Sequence, residues 1–587
     1  MEQNKLSHKD HIAVFVTACI CLGLFCVYAF SGHKLFFATN DDVMLKAILT
    51  GDITGKPDAH LIYVMYPLGW ILKNLYTAFG QIPWYDLFII GIHLAAYFLV
   101  MIRTGCVFGQ RKRERILYTA SAGLVFLTID FPYFIWHQYT SLAATLAAVS
   151  LYYYLTAKKD ENGLKIGEQI VIGLFFILSL WLRKQALIMA LPLFALALLF
   201  RFNGKIKAKK LVLPAVLLAV GIISVCVEKG AYSSAEWQKF LSYNANRTDV
   251  YDYYLLPSYQ ENIQKYNDLG IYENDMYPLG EWDLGLFPGY QEKNMEKLAT
   301  LSGDAWKDLH YQKWEIKHTL KNVWNLIVHQ DIQPIGRILM ALTILSVPAL
   351  LVLKRKKAAL MVLLGVLYEG VFVTYFVFRT RFPERVSYGL YLLEFFFIVG
   401  IWFGSFVNDP VKKERKKRKF LPPLAAFIFF FMVGVLTVRL IMFSGPYTKY
   451  VNKTNEWKAA NTYFAAHPDN VYFLKTASFG SYGEEMFTGN TYEGGNILRM
   501  GSWIMGSPLY EKKVSSLALT EDVWEALPVQ ENVYYVQDSV ISTDWLEAFY
   551  DEDTGVKAQK VAVSVEEAVP LGDDKTMTIV SVKTEGE

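Results

Sequence analysis

About eleven apolar runs, each long enough to cross a bilayer, alternate with basic clusters along this chain, and that alternation constrains its fold most. The runs lie near residues 12–30, 84–102, 116–131, 134–155, 168–183, 186–202, 211–228, 335–353, 358–378, 387–406 and 421–442. Basic clusters follow every second boundary: Arg103 with Arg111, Lys112, Arg113 and Arg115; Lys158, Lys159 and Lys165; Lys205, Lys207, Lys209 and Lys210; Lys354 to Lys357; and Lys412 to Lys419. If run 12–30 leaves the cytoplasm and run 84–102 returns, all five clusters fall on the cytoplasmic side. The reading is an all-α polytopic protein of the cell membrane, with its N-terminus inside and its C-terminus outside. Residues 60–80 are apolar enough to tempt as a further span, yet counting them would send every later cluster outside. They also contain Pro67, Gly69 and Lys73, so the expectation is an interfacial or re-entrant segment.

Composition supports the class. Hydrophobic residues make up 53% of the 587 and charged ones only 19%, with mean hydropathy +0.23. A soluble domain is nearer a quarter charged. The net charge of +3 argues against a nucleic-acid partner. All five cysteines lie in or beside apolar segments, so no disulfide framework holds the polar regions. Run 12–30 follows Lys5 and Lys9 like a signal peptide, but it is longer than a usual signal core and reads as an uncleaved anchor.

Two parts follow: a membrane domain over 1–443 and a small extracytoplasmic α/β domain over 444–587. Within the first, residues 31–83 and 229–334 form outer loops. In the tail, strand-like runs at Asn470–Leu474, Asn532–Gln537, Val556–Val563 and Thr576–Val582 alternate with helix-like stretches at Glu456–Ala466 and Thr543–Tyr550.

The sharpest local feature is Thr39-Asn40-Asp41-Asp42, a few residues beyond the first span. Adjacent carboxylates at a membrane surface can hold a divalent cation such as Mg or Mn, or one can be kept basic by its neighbour's charge. Either arrangement would deprotonate an acceptor hydroxyl beside a membrane-bound donor. The bland alternative is that Asn40 or Asp41 caps a short helix through Val43–Ala47, and both readings can hold together.

With Asp41-Asp42 after the first span, an interfacial segment at 60–80 and a polar C-terminal domain, the layout resembles the GT-C superfamily of integral-membrane glycosyltransferases. That resemblance covers the whole chain but rests on a two-residue acidic motif. It implies inverting transfer from a polyprenyl-phosphate sugar, with Asp41 as general base, Asp42 supporting it or binding metal, and lipid phosphate leaving. It also implies a second acidic residue at an outer span junction, matched by position to Asp130. The acceptor would be a glycan or lipid-linked molecule of the cell envelope, as in bacterial polysaccharide assembly.

A lipid-phosphate donor needs cations at the interface, and arginine pairs with phosphate oxygens while staying charged. Arg183-Lys184 fills a tight outer turn, and Arg379, Arg381 and Arg385 crowd a second one. Snorkelling anchors explain single basic residues; three arginines within seven residues on the disfavoured side point to phosphate. Carboxylates inside spans are expensive, which singles out Glu369 and Glu394. His137, beside Asp130 at an outer turn, reads equally well as part of an interfacial aromatic belt. The 229–334 loop interleaves Tyr232, Trp237, Tyr243, Tyr251, Tyr253 and Tyr254 with Asn246, Arg247, Asp249 and Asp252, a composition suited to sugar faces and equally to a membrane interface.

Two rival functions use the same residues differently. A polysaccharide polymerase or ligase would centre its chemistry on Arg247 and the aromatic loop. A transporter or flippase would line a path with Glu369, Glu394 and Arg183, and would be expected to carry an internal repeat, of which the sequence has no trace.

Overall fold

The computed structural model describes residues 8–108, 111–157, 164–201, 211–286, 292–310, 313–328, 334–379, 381–407, 447–449, 451–479, 484–488, 494–551, 560–572 and 575–584. Its longer helices up to residue 407 are α1 (His8–Gly32), α2 (Asn40–Thr50), α3 (Tyr66–Ala78), α4 (Trp84–Phe108), α5 (Lys112–Ile135), α6 (Tyr139–Thr156), α7 (Ile166–Leu182) and α8 (Lys184–Arg201). They continue as α9 (Val212–Ala231), α10 (Ala235–Thr248), α11 (Glu292–His310), α12 (Lys313–Val328), α13 (Pro334–Val352), α14 (Lys356–Phe378) and α15 (Glu384–Val407). Among the described residues seven, namely α1, α4, α5, α8, α9, α14 and α15, are long and apolar enough to cross a bilayer. The chain is a multi-pass membrane protein. Helices α6, α7 and α13 coincide with three further expected runs, α7 and α13 being shorter apolar helices. The eleventh run at 421–442 lies outside the described residues, as do the clusters at 205–210 and 412–419 and Lys158 and Lys159. Helix α3, inside the 60–80 segment, has 13 residues. At 1.5 Å per residue that is about 20 Å, short of the roughly 30 Å hydrocarbon core.

Helix α6 is apolar all round and buried along almost its whole length, which makes it the post around which the bundle packs. Small residues let α15 approach it closely. A methyl on Gly389 would sit 2.8 Å from the Ala144 Cβ, and one on Gly400 would sit 2.7 Å from Leu155. These pairings make the two helices parallel. The first turn of α15, with Arg385, therefore lies level with the first turn of α6, with Tyr139.

The C-terminal part is built on β3 (Val471–Leu474), β4 (Ile497–Arg499), β5 (Val533–Asp538), β6 (Val561–Gly572) and β7 (Lys575–Thr584), ordered β4-β3-β5-β7-β6. The first three are mutually parallel, and β7 pairs antiparallel with β5 and β6. A helix over 451–466 covers one face, contributing Trp457 and Phe464 to a cluster with Tyr472, Leu474 and Ile579. The other face joins the core of the helical part, where Tyr535 and Val580 belong to the same apolar cluster as Leu286 and Tyr63's neighbour Trp503.

Two short strands lock this part onto the bundle. Strand β1 (Phe36–Phe37) pairs parallel with β2 (Trp136–His137). From the C-terminal part, Glu484 accepts the Phe37 amide at 2.9 Å and the Met486 amide donates to Leu35 at 2.8 Å. Buried charges add to the joint. Lys46 on α2 meets Glu484 at 3.1 Å and Asp86 on α4 at 3.4 Å. Lys475 meets Asp283 at 3.0 Å, and Tyr535 donates to the same carboxylate at 2.9 Å. Residues 31–83, parts of 229–334 and the C-terminal part thus share one end of the bundle.

Candidate active site

Helix α2 begins directly after β1, with Thr39 in the N-cap position and its hydroxyl unused for capping. Asn40 and Asp41, expected as possible caps, instead occupy the first turn with Asp42, where the helix dipole favours carboxylates. The helix ends at Gly51, whose φ of 91° suits glycine and whose amide returns to the Ala47 carbonyl. Nearly every residue between is buried, so the acidic pair is carried on a rigid stub.

The two carboxylates are not equivalent. Asp42 is fully buried, and its Oδ1 accepts from the Tyr85 hydroxyl at 2.8 Å and the Tyr139 amide at 3.1 Å. Burial raises its pKa well above the usual carboxylate value, with the Tyr85 bond opposing. Asp41 is half-buried and faces charge. Burial raises its pKa; the guanidiniums of Arg385, Arg183 and Arg381 pull the other way, and Asp252 adds to the rise.

The arginines are held from two sides, Arg183 by Tyr63 and Tyr139, and Arg379 and Arg381 both by residues 252–254. Arg183, between α7 and α8, donates to the Tyr139 hydroxyl at 3.1 Å and lies over the Tyr63 and Tyr139 rings at 5.1 and 5.6 Å. Arg381 pairs with Asp252 at 2.5 Å and lies 5.5 Å from the Tyr253 ring centre. Arg379 stands among Tyr253, Tyr254 and Trp306, at 4.5, 5.6 and 5.7 Å from their centres. The 229–334 loop thereby reaches the acidic pair, through Asp252 rather than through Arg247. Arg247 is buried one step away. It bonds Asn244 at 2.8 Å and the Tyr63 hydroxyl at 3.4 Å, and it lies over Trp282. Tyr63 therefore stands between Arg183 and Arg247, with Trp503 of the C-terminal part 4.9 Å from its ring. The residue before it, Ile62, takes φ 62°, strained for a β-branched side chain, and its amide is held by the Tyr232 hydroxyl at 2.8 Å.

The structure therefore gathers Asp41, Asp42, Arg183, Arg381 and Arg385, with Arg379 and Arg247 at the edges. Lys184 is exposed at the start of α8. Glu369 is not part of this group: it faces Glu394 between α14 and α15. Asp130 is fully buried and bonded to the imidazole of His93 and the hydroxyl of Tyr388. His137 meets His93 at 3.0 Å. Sequence reasoning passed over His93, Tyr63, Tyr139 and Tyr388. A histidine inside an apolar run was a usable signal for the first. The tyrosines carried none, because aromatic residues crowd every interface in this chain.

Among the described residues no three His, Cys, Asp or Glu side chains form a group able to hold a metal ion. Asp42 is fully buried and its Oδ2 has no hydrogen-bond partner, beside the half-buried Asp41.

No protein-family model matches the chain, and no curated protein matches it. Two solved structures align over nearly its whole length. ArnT from Cupriavidus metallidurans bound to undecaprenyl phosphate is 10% identical at a TM-score of 0.40, covering 96% of this chain and 97% of that one. The same protein in the apo state is 11% identical at 0.38, covering 97% of each. A likeness of this degree assigns no residue a role.

Proposed function

We propose that this protein is a membrane glycosyltransferase that moves a sugar from a polyprenyl-phosphate donor to a glycan or lipid-linked acceptor on the extracytoplasmic side. The observation that carries the reading is that a single half-buried carboxylate, Asp41, lies within electrostatic reach of three guanidiniums, Arg183 between α7 and α8, Arg381 just before α15 and Arg385 in its first turn. A base beside a phosphate clamp is what displacement of a lipid phosphate requires. Asp41 takes the proton of the acceptor hydroxyl as that oxygen attacks the anomeric carbon. The bond from that carbon to the phosphate oxygen breaks, and the lipid phosphate leaves with its charge opposed by Arg183, Arg381 and Arg385. A single displacement of this kind inverts the anomeric configuration. Tyr63 and Trp282, both partly exposed, supply flat apolar faces for sugar rings next to the charged groups.

The test is purified protein with a panel of polyprenyl-phosphate sugars and envelope-glycan acceptors, with and without divalent cation. Donor consumption with release of lipid phosphate is expected, and it should be lost in Asp41→Asn. If no donor is bound or consumed across the panel, the reading is wrong.

A further inference from the structure

Behind the acidic pair runs a buried chain of polar side chains that the transfer reaction does not itself use. His137 Nε2 meets His93 Nδ1 at 3.0 Å, His93 Nε2 meets Asp130, and the other Asp130 oxygen accepts from the Tyr388 hydroxyl. All four residues are buried. They come from four elements: His93 from α4, Asp130 from α5, His137 from β2 and Tyr388 from α15. Since a buried polar group without a partner is costly, a chain of this kind fixes the relative positions of the groups it joins, and it ends at His137, whose Nδ1 is buried with no hydrogen-bond partner.

Its two ends lead to the two halves of the site. At one end, His137 is in register with Phe37 on β1, and its carbonyl accepts the Ala38 amide at 2.7 Å. Three residues beyond Ala38 stands Asp41. Two residues beyond His137, the Tyr139 amide holds Asp42. At the other end, Tyr388 lies one helical turn from Arg385 on the same helix. The α5–α15 contact is reinforced there, since the Tyr133 ring stacks on Tyr388 with centres 3.6 Å apart and its hydroxyl donates to Glu384 at 3.0 Å.

We infer that His137, His93, Asp130 and Tyr388 act as positioning residues: together they form a strut that sets the separation between the base Asp41 and the phosphate-binding Arg385. This rests on the proposed transfer reaction for the meaning of that separation. It gives Asp130 a role at one remove from the reacting atoms.

Tyr388→Phe removes one hydroxyl and keeps the stacked ring, so it cuts the strut at Asp130 while leaving the packing in place. The expected result is a fall in kcat on the order of 10- to 100-fold, as displacements of about an ångström produce, with a lowered melting temperature but a folded protein, because one Asp130 oxygen loses its donor. His93 offers a second arm. His93→Gln retains one donor and one acceptor and should restore much of the activity that His93→Phe loses, whereas a merely space-filling histidine would favour the ring. Binding of polyprenyl phosphate is measured alongside, because it needs no turnover, and Tyr388→Phe should weaken it at least threefold. Wild-type turnover with Tyr388→Phe and His93→Phe equally active overturns the strut. If wild type turns over no donor, the transfer reading fails by itself, and unchanged lipid-phosphate binding in Tyr388→Phe then overturns the strut separately.

Discussion

The Tyr139 amide donates to Asp42 Oδ1 at 3.1 Å while the Tyr139 hydroxyl accepts from Arg183 at 3.1 Å. One residue at the start of α6 thus ties the acidic pair on α2 to the arginine between α7 and α8. The proposed base and the proposed phosphate clamp thereby share one support, and their variants should behave accordingly.

Asp41→Asn should abolish transfer without lowering membrane abundance. Asn keeps the size and loses the ionisable oxygen, so the lost activity would reflect chemistry. The comparison is turnover per mole of purified protein against wild type.

The pH dependence follows from the direction of the Asp41 shift. Burial raises its pKa above the ordinary 3.8, so the unfolded chain loses this proton at lower pH than the folded one. Stability therefore declines as pH rises through that interval, and the ionised carboxylate, the form the proposed base needs, predominates only above the folded value. The acid limb of kcat/KM should have its midpoint above 3.8. At neutral pH the melting temperature of Asp41→Asn should match or exceed that of wild type.

Asp42 should separate structure from catalysis. Asp42→Asn retains an acceptor for both the Tyr85 hydroxyl and the Tyr139 amide, whereas Asp42→Ala strands them in the interior. Leaving such donors unpaired costs about 1–3 kcal/mol each. Thermal unfolding in detergent should rank wild type near Asp42→Asn, with Asp42→Ala clearly lower.

Lys46→Met should loosen the C-terminal part from the bundle. It leaves Asp86 and Glu484 without their shared cation in a buried joint. Breaking a buried pair from one side costs about 3–5 kcal/mol. A lowered melting temperature and faster proteolysis between the two parts are expected; an unchanged digestion pattern would count against this account of the joint.

Chelation offers the last check. Three guanidiniums act on Asp41, and they are expected to balance the charge of the leaving phosphate without a cation. Turnover should survive EDTA treatment without added magnesium or manganese. Loss of activity on chelation, restored by metal, would assign the charge balance at the site differently.

Much of this was legible in the residues because a bilayer imposes long-range rules on a one-dimensional pattern. Apolar length marked helices such as α4 and α14, and the alternation of basic clusters kept 60–80 from being counted as a crossing. The acidic pair stood out because two carboxylates beside a span are expensive. The α/β character of the tail was readable from β3, β5 and β7; β4 was not, being three residues long and taking its stability from β3 beside it.

What only the tertiary structure decided is which residues meet. Asp41 and Arg385 are hundreds of positions apart, and their meeting depends on α15 packing parallel to α6 through Gly389 and Gly400. Periodicity carries no information on such pairings, because many partners satisfy the same apolar face. The same holds for the unequal fates of Asp41 and Asp42. Adjacent and chemically identical in the sequence, they are separated by burial alone, which turns one towards Tyr85 and Tyr139 and leaves the other facing the arginines.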